Sequence, residues 1–114
     1  MSSVKLNKMI EKLQLVNLVP EVSTDEIEIS SPEINRPALQ LAGYFEHFAS
    51  ERVQIIGYVE YTYLKSLDRD VKMANYEQFL SSDIPCVIYS TRTEPDEDMI
   101  ELAKKYHKPL LSSH

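Results

Sequence analysis

The sequence predicts a single small α/β domain, spanning residues 1–114, with a mixed, partly parallel sheet and flanking helices. Three observations carry this. Apolar spacing alternates along the chain between helical and strand periods. Two short runs, "RVQIIG" at Arg52–Gly57 and "PCVIYS" at Pro85–Ser90, are rich in β-branched or continuous apolar residues, as buried strands are. A chain of 114 residues and 13.2 kDa suits one core, because a domain of this size buries roughly 65% of the surface its unfolded form exposes.

From the amino end, Leu6, Met9, Ile10 and Leu13 recur at i, i+3, i+4, i+7 and predict a first amphipathic helix. Leu15–Val19 reads as a short strand ended by Pro20, and Ile27–Ser30 alternates apolar and polar until Pro32 stops it. Beyond the strand at Arg52–Gly57, the segments Tyr58–Leu67 and Val71–Leu80 carry helical spacing, with Tyr76, Phe79 and Leu80 on one face. They form the crossover to Pro85–Ser90, which reads as the central strand. Two strands joined this way run parallel, with a right-handed connection. Thr93 with Asp96 forms a capping box, with Pro95 in the first turn of a helix that runs to about Tyr106; "KPLLSS" then supplies a closing strand.

The stretch "EINRPALQLAGYF", Glu33–Phe45, poses the functional question. A residue ahead of proline avoids helical geometry, so Arg36 is extended and Pro37 opens a short helix. Gly43 ends it in left-handed geometry, leaving Leu39, Ala42 and Phe45 turned to the core. This explains Pro37 and Gly43 but not Asn35 and Arg36, two polar groups held ahead of a helix start. Arg36 either pairs within the fold, with Glu33, Glu51 or Glu60, or meets another subunit, domain or anion.

Charge and composition exclude several classes. A net charge of −6 and a pI near 5.0 oppose a nucleic-acid surface, which needs clustered Lys and Arg. The one basic stretch, "KKYHK" at Lys104–Lys108, suits the last turn of a helix. No apolar run approaches the roughly 20 residues of a membrane span, and Met1–Leu6 lacks the hydrophobic region of a signal peptide, so no membrane and a cytoplasmic location are expected. The single cysteine, Cys86, makes no internal disulfide and sits in a strand, where a buried inert thiol outweighs a nucleophile.

The glycine count removes catalytic motifs. Gly43 and Gly57 are the only 2 glycines, so neither a P-loop nor a dinucleotide fingerprint nor a nucleophile elbow exists in this chain. His47, His107 and His114 lack metal-ligand spacing. The acids Glu94, Asp96, Glu97, Asp98 and Glu101 fit a helix amino terminus better than a cation site. Tyr58, Tyr61 and Leu64, at i, i+3, i+6, fit a core-facing helix edge better than a stacking platform.

The runs "INRPALQLAGYFEHFASERVQIIGYVEYTYL" and "IPCVIYSTRTEPDEDMIELAKKYHKPLL" together resemble the N-terminal domain of the bacterial HPr kinase/phosphorylase family, from about Val4 to Ser112. The resemblance rests on Arg36-Pro37, Leu41–Phe45, Glu51–Gly57 and the Gly57–Glu60 turn, in that order. Ala38 and Gln40 stand where many members have Gly and Glu, and "TRTEP" lacks a Gly-Leu often found between its Arg and Glu.

The resemblance implies a fold similar to the N-terminal domains of Mur ligases, where a related fold binds a UDP-sugar. It implies a parent enzyme in which ATP, Mg and the catalytic groups belong to a following kinase domain, so that this chain holds no catalytic residue and no cofactor. The parent is an ATP-dependent HPr serine kinase/phosphorylase of carbon catabolite control, working as a homo-hexamer. The expected partners are therefore the kinase domain, neighbouring subunits and, through the parent, HPr. Two roles stand open: a non-catalytic assembly or regulatory domain, or a free-standing domain that binds an anion or nucleotide-sugar, or a protein partner. Asn35, Arg36, Arg52 and Glu60 are the candidate contact or ligand residues.

Overall fold

The computed structural model describes residues 3–113. The chain runs β1 (Val4–Lys5), α1 (Leu6–Leu13), β2 (Val16–Asn17), β3 (Glu28–Ile29), β4 (Ile34–Asn35), α2 (Ala38–Leu41), β5 (Val53–Ile56), α3 (Tyr58–Lys65), α4 (Arg69–Leu80), β6 (Val87–Tyr89), α5 (Glu97–Tyr106) and β7 (Leu110–Ser112). Five strands form one sheet in the order β2-β7-β6-β5-β4. β4, β5, β6 and β7 are mutually parallel, and β2 closes the far edge antiparallel to β7. β1 and β3 make a separate antiparallel pair. The sheet is mixed, β6 is its central strand, and β5 and β6 are parallel and linked through α3 and α4, as the residue pattern predicts. The segment at Ile27–Ser30 joins the small sheet instead of the main one.

Strand alternation divides the core in two, because successive side chains leave opposite faces. Ile56, Val87, Tyr89 and Leu110 pack with Leu41, Leu64, Tyr76, Phe79, Leu80, Met99 and Leu102 of the helix layer. Val53, Cys86, Ile88 and Leu111 face the other way, toward Leu6, Leu15 and Ile29. One side of the sheet is thus covered by α2 to α5. Among the described residues the other has only α1 and the small sheet, and α1 is a short roof. Its last apolar residue, Leu13, is 57% exposed, so the predicted stripe is buried at Leu6 and open at Leu13. Beside it runs an apolar groove of about 1140 Å³, walled by Met9, Leu13, Ile34, Val53, Ile55 and Ile88.

Three local expectations are corrected. Leu39 and Ala42 face solvent, whereas Leu41 and Gln40 are buried; Phe45 is half-buried against the core. With only the single turn Ala38–Leu41, α2 can aim one apolar side chain at α4, and Leu41 holds that place. Tyr58 is exposed, and only Leu64 of the Tyr58, Tyr61, Leu64 edge is fully buried. The two rings lie 6.2 Å apart at the surface, with Arg92 5.0 Å from the Tyr58 ring and Lys65 4.3 Å from the Tyr61 ring. Finally, Thr93 is no cap and Pro95 stands outside the helix. Asp96 is the N-cap of α5 and accepts the Met99 N–H at 2.8 Å, while Thr93 turns its hydroxyl back to the Ser90 carbonyl at 2.7 Å.

The charged clusters are taken up by the fold. Asp98 accepts both Nε and Nη2 of Arg69, a fork that holds its carboxyl below the ordinary range. Lys104 and Lys105, in the last turn of α5, pair with Glu21 at 3.0 Å and Glu77 at 3.1 Å.

Candidate functional site

Two of the four candidate residues, Arg36 and Glu60, meet where β4 and β5 end and α3 begins, and Asn35 lies next to them at the end of β4. The parallel register sets Asn35 beside Gln54, and a single residue later Arg36 leaves the sheet in extended geometry ahead of Pro37. β5 ends one residue before Gly57, the N-cap of α3, which puts Glu60 in the first turn of that helix. Glu60 turns back on the cap. Its Oε1 accepts the Gly57 N–H at 2.6 Å, the Arg36 Nη2–H at 2.8 Å and the Arg36 Nε–H at 3.1 Å. Three donors therefore converge on one carboxylate oxygen, and the negative charge also lies at the positive end of the helix.

Burial at this junction is unequal. The Glu60 side chain is only 5% exposed, while that of Arg36 is 51% exposed. A buried carboxylate needs a partner, and Arg36 supplies it while leaving the outer edge of its guanidinium in solvent. Gly57 makes room for this pairing. A Cβ at residue 57 would meet Arg36 Nη2 and sit 3.0 Å from Cζ, so the guanidinium lies directly over a backbone that carries no side chain. Gly57 is extended here, and its requirement is space and not left-handed freedom.

Asn35 belongs to an adjoining amide cluster. Its Nδ2 donates to Gln54 Oε1 at 2.7 Å and to Gln40 Oε1 at 3.3 Å. Gln54 Nε2 in turn donates to the carbonyls of Arg52 at 2.8 Å and Ala49 at 3.2 Å. Gln40 and Gln54 are two of the three buried polar side chains among the described residues, Glu60 being the third. Neither glutamine was a sequence candidate. The available signal was a polar residue at an inward position of "VQII", which breaks the apolar alternation where a buried amide partner is needed.

Arg52 stands apart, at the start of β5. Its contacts, to Glu33 Oε1 and the Ile34 carbonyl, are both 3.5 Å long, and its buried Nε has no partner among the described residues. The strand separates it from the Arg36–Glu60 pair, so the four residues do not form one constellation. None of the four sets a nucleophile beside a base. Cys86, on the opposite face of the sheet, is fully buried, and burial pushes its thiol up to about 12. Among the described residues no group of three His, Cys, Asp or Glu side chains converges as metal ligands would, and no helix is long and apolar enough to cross a membrane.

These features define a small α/β domain whose polar cluster ties a strand end to a helix start. The chain belongs to the family described as HPr serine kinase N terminus, whose model matches residues 4–114. It is 39% identical over 110 residues to the HPr kinase/phosphorylase of Lachnoclostridium phytofermentans, covering 96% of this chain and 36% of that protein. It is 39% identical over 114 residues to that of Alkaliphilus metalliredigens, covering 100% and 37%. Against that of Caldicellulosiruptor bescii it is 42% identical over 106 residues, covering 93% and 34%. The chain thus spans about a third of the length of the curated relatives it matches.

Among solved structures, the CBS and DRTGG domains of the regulatory region of Clostridium perfringens pyrophosphatase, in complex with the activator diadenosine tetraphosphate, share the fold. The TM-score is 0.58 at 18% identity, covering 96% of this chain and 41% of the other.

Proposed function

We propose that this chain is the non-catalytic assembly and regulatory domain of an ATP-dependent HPr serine kinase/phosphorylase, acting in the cytoplasm in carbon catabolite control. ATP, Mg and HPr engage the rest of the parent enzyme, and this domain contacts the kinase domain and neighbouring subunits of a homo-hexamer. Relatives bearing the name HPr kinase/phosphorylase support the parent activity. The sequence, with 2 glycines and no P-loop, supports its placement outside this domain.

The observation that carries the assembly role is the half-roofed sheet. α1 leaves Ile55 and Ile88 at the floor of a groove whose wall includes Leu13, 57% exposed, and Ile34, 49% exposed. A contiguous apolar surface of this kind marks a protein contact. Lys5, Lys8 and Lys12 border it on the α1 side and Glu33 on the β4 side, so the rim offers both signs to a neighbouring subunit. An anion or nucleotide-sugar site at Asn35, Arg36, Arg52 and Glu60 has weaker support, because Arg36 and Asn35 are engaged within the fold and Arg52 lies elsewhere.

Native mass spectrometry of a full-length relative carrying lysines at the positions equivalent to Leu13 and Ile34 tests this reading. Both side chains are open in the isolated domain, so the melting midpoint of the corresponding Leu13→Lys, Ile34→Lys chain is expected to hold while the parent assembly dissociates. An intact assembly in the full-length variant would overturn the assembly role of this groove.

A further inference from the structure

α3 carries apolar side chains on both of its sides. Leu64 is buried toward the core, while Tyr58, Val59 and Tyr63 lie outward, 51%, 68% and 39% exposed. Helical spacing puts these three on one arc, away from the buried Glu60 and Leu64. α5, by contrast, turns Glu97, Glu101 and Lys105 to solvent. A helix that is apolar all round belongs in a buried setting, so the outer arc of α3 has the composition of a covered face.

Arg92 extends this face. Its guanidinium lies 5.0 Å from the Tyr58 ring, and Arg92 itself takes left-handed geometry at φ 68°, which few L residues adopt. The other cations nearby are already met: Arg36 by Glu60, and Lys65 by the Tyr61 ring and the field of Glu94. Arg92 has no carboxylate within ion-pair distance among the described residues. Tyrosine and arginine are the side chains that anchor the centres of protein interfaces, and here they stand together with one unbalanced positive charge.

The sheet indicates what covers it. Ile56, Tyr89 and Ser112 lie in register across β5, β6 and β7. Ser90 N–H donates to the Ile56 carbonyl at 3.1 Å and Ser113 N–H to the Tyr89 carbonyl at 3.0 Å, so the ends of the three strands stay side by side. At the ~4.8 Å spacing of neighbouring strands, β7 ends about 10 Å from the start of α3. The family is that of an amino-terminal part, and the matched region is about a third of the relatives' length. In the parent enzyme the polypeptide leaving β7 therefore emerges beside this face, and a domain tethered there meets it at high effective concentration. We propose that Tyr58, Val59, Tyr63 and Arg92 seat the domain that follows in the same polypeptide, an inference that rests on the parent-enzyme reading. The seated surface offers apolar side chains to α3 and a carboxylate to Arg92. This face is separate from the groove, which lies on the opposite side of the sheet.

Hydrogen–deuterium exchange of this chain and of the full-length parent tests it. The amides of α3 are expected to exchange about tenfold more slowly in the parent than in the chain alone. That protection is expected to persist in the parent carrying Leu13→Lys and Ile34→Lys, because the occupant belongs to the same polypeptide. Val59→Asp combined with Arg92→Glu is expected to return α3 to the rate of the isolated chain, while leaving the urea midpoint of the isolated chain unchanged, since both side chains are exposed there. Tyr63→Lys alone gives the same reading should the double variant not fold. The amides of α1 report on the groove in the same data. Protection of α1 without α3 would overturn this proposal and leave the assembly role standing, and equal exchange of both helices in chain and parent would overturn both. Protection of α3 that disappears in the groove variant would put a neighbouring subunit on this face and would also overturn the proposal.

Discussion

Arg36 and Glu60, 24 residues apart in sequence, share a single carboxylate oxygen with the backbone N–H of Gly57, so that one side chain caps a helix and anchors an arginine together. The arrangement welds the exit of β4 to the entry of α3. It also explains why a glycine stands at residue 57, since the guanidinium occupies the space of a side chain there.

This relationship has a thermodynamic signature. Arg36→Ala leaves the buried Glu60 carboxylate with the Gly57 N–H alone, and is expected to cost about 1–2 kcal/mol, less than a fully buried pair because Arg36 is half exposed. Gly57→Ala should also destabilise, by displacing the guanidinium. The two changes are coupled: Gly57→Ala is expected to cost less in the Arg36→Ala background. Urea melts of the four chains measure it, and strict additivity would show that Arg36 does not lie over Gly57.

Gly43 stops α2 in the left-handed region, at φ +96°. Its N–H reaches the Gln40 carbonyl at 2.9 Å and that of Tyr44 reaches the Leu39 carbonyl at 2.9 Å, the paired bonds of a Schellman end. A Cβ there would be strained and would sit 3.3 Å from Asn75 Oδ1, whose side chain donates to the Leu41 carbonyl. Gly43→Ala is therefore expected to lower stability by about 1 kcal/mol or more, read as a lower urea midpoint at unchanged slope.

Much of the fold was legible because the period of apolar residues is a local property. "RVQIIG" and "PCVIYS" read as neighbouring buried strands, and Tyr76, Phe79 and Leu80 as one face, since each pattern reports only on its own segment. The errors fall where tertiary context decides. Leu39 and Leu41 are equivalent in sequence, and only the position of α4 selects Leu41. α1 and α5 end on Gln14 and His107 in left-handed geometry, at φ 55° and 58°, with no glycine to announce the stop. At the candidate site, the Gly57-to-Glu60 spacing and the list of acids available to Arg36 included the true partner. The Gln40, Gln54 and Asn35 cluster was hidden, because a buried amide pair depends on strand register and not on spacing along one strand.

Cys86 makes stability depend on alkaline pH. Burial raises its thiol from an ordinary value of 9.0 to about 12 in the folded chain. Between those values the unfolded chain releases a proton that the folded chain keeps, so stability is fully present below about pH 9 and falls as pH rises toward 12. Cys86→Ala, though less stable overall because it empties part of the core, is expected to lose this component of the alkaline slope. Denaturant midpoints of both chains across the alkaline range check it, and parallel slopes would show that the thiol ionises equally in both states.

The central claim is that this domain serves the parent enzyme without performing its chemistry. Calorimetric titration of the chain with Mg-ATP tests that most directly, since a chain with 2 glycines and no P-loop has no backbone cradle for the phosphates. The expected result is no saturable heat, with no label transferred to HPr when both proteins are incubated with the same nucleotide. Saturable micromolar binding of Mg-ATP, or transfer of phosphate to HPr by this chain alone, would contradict it.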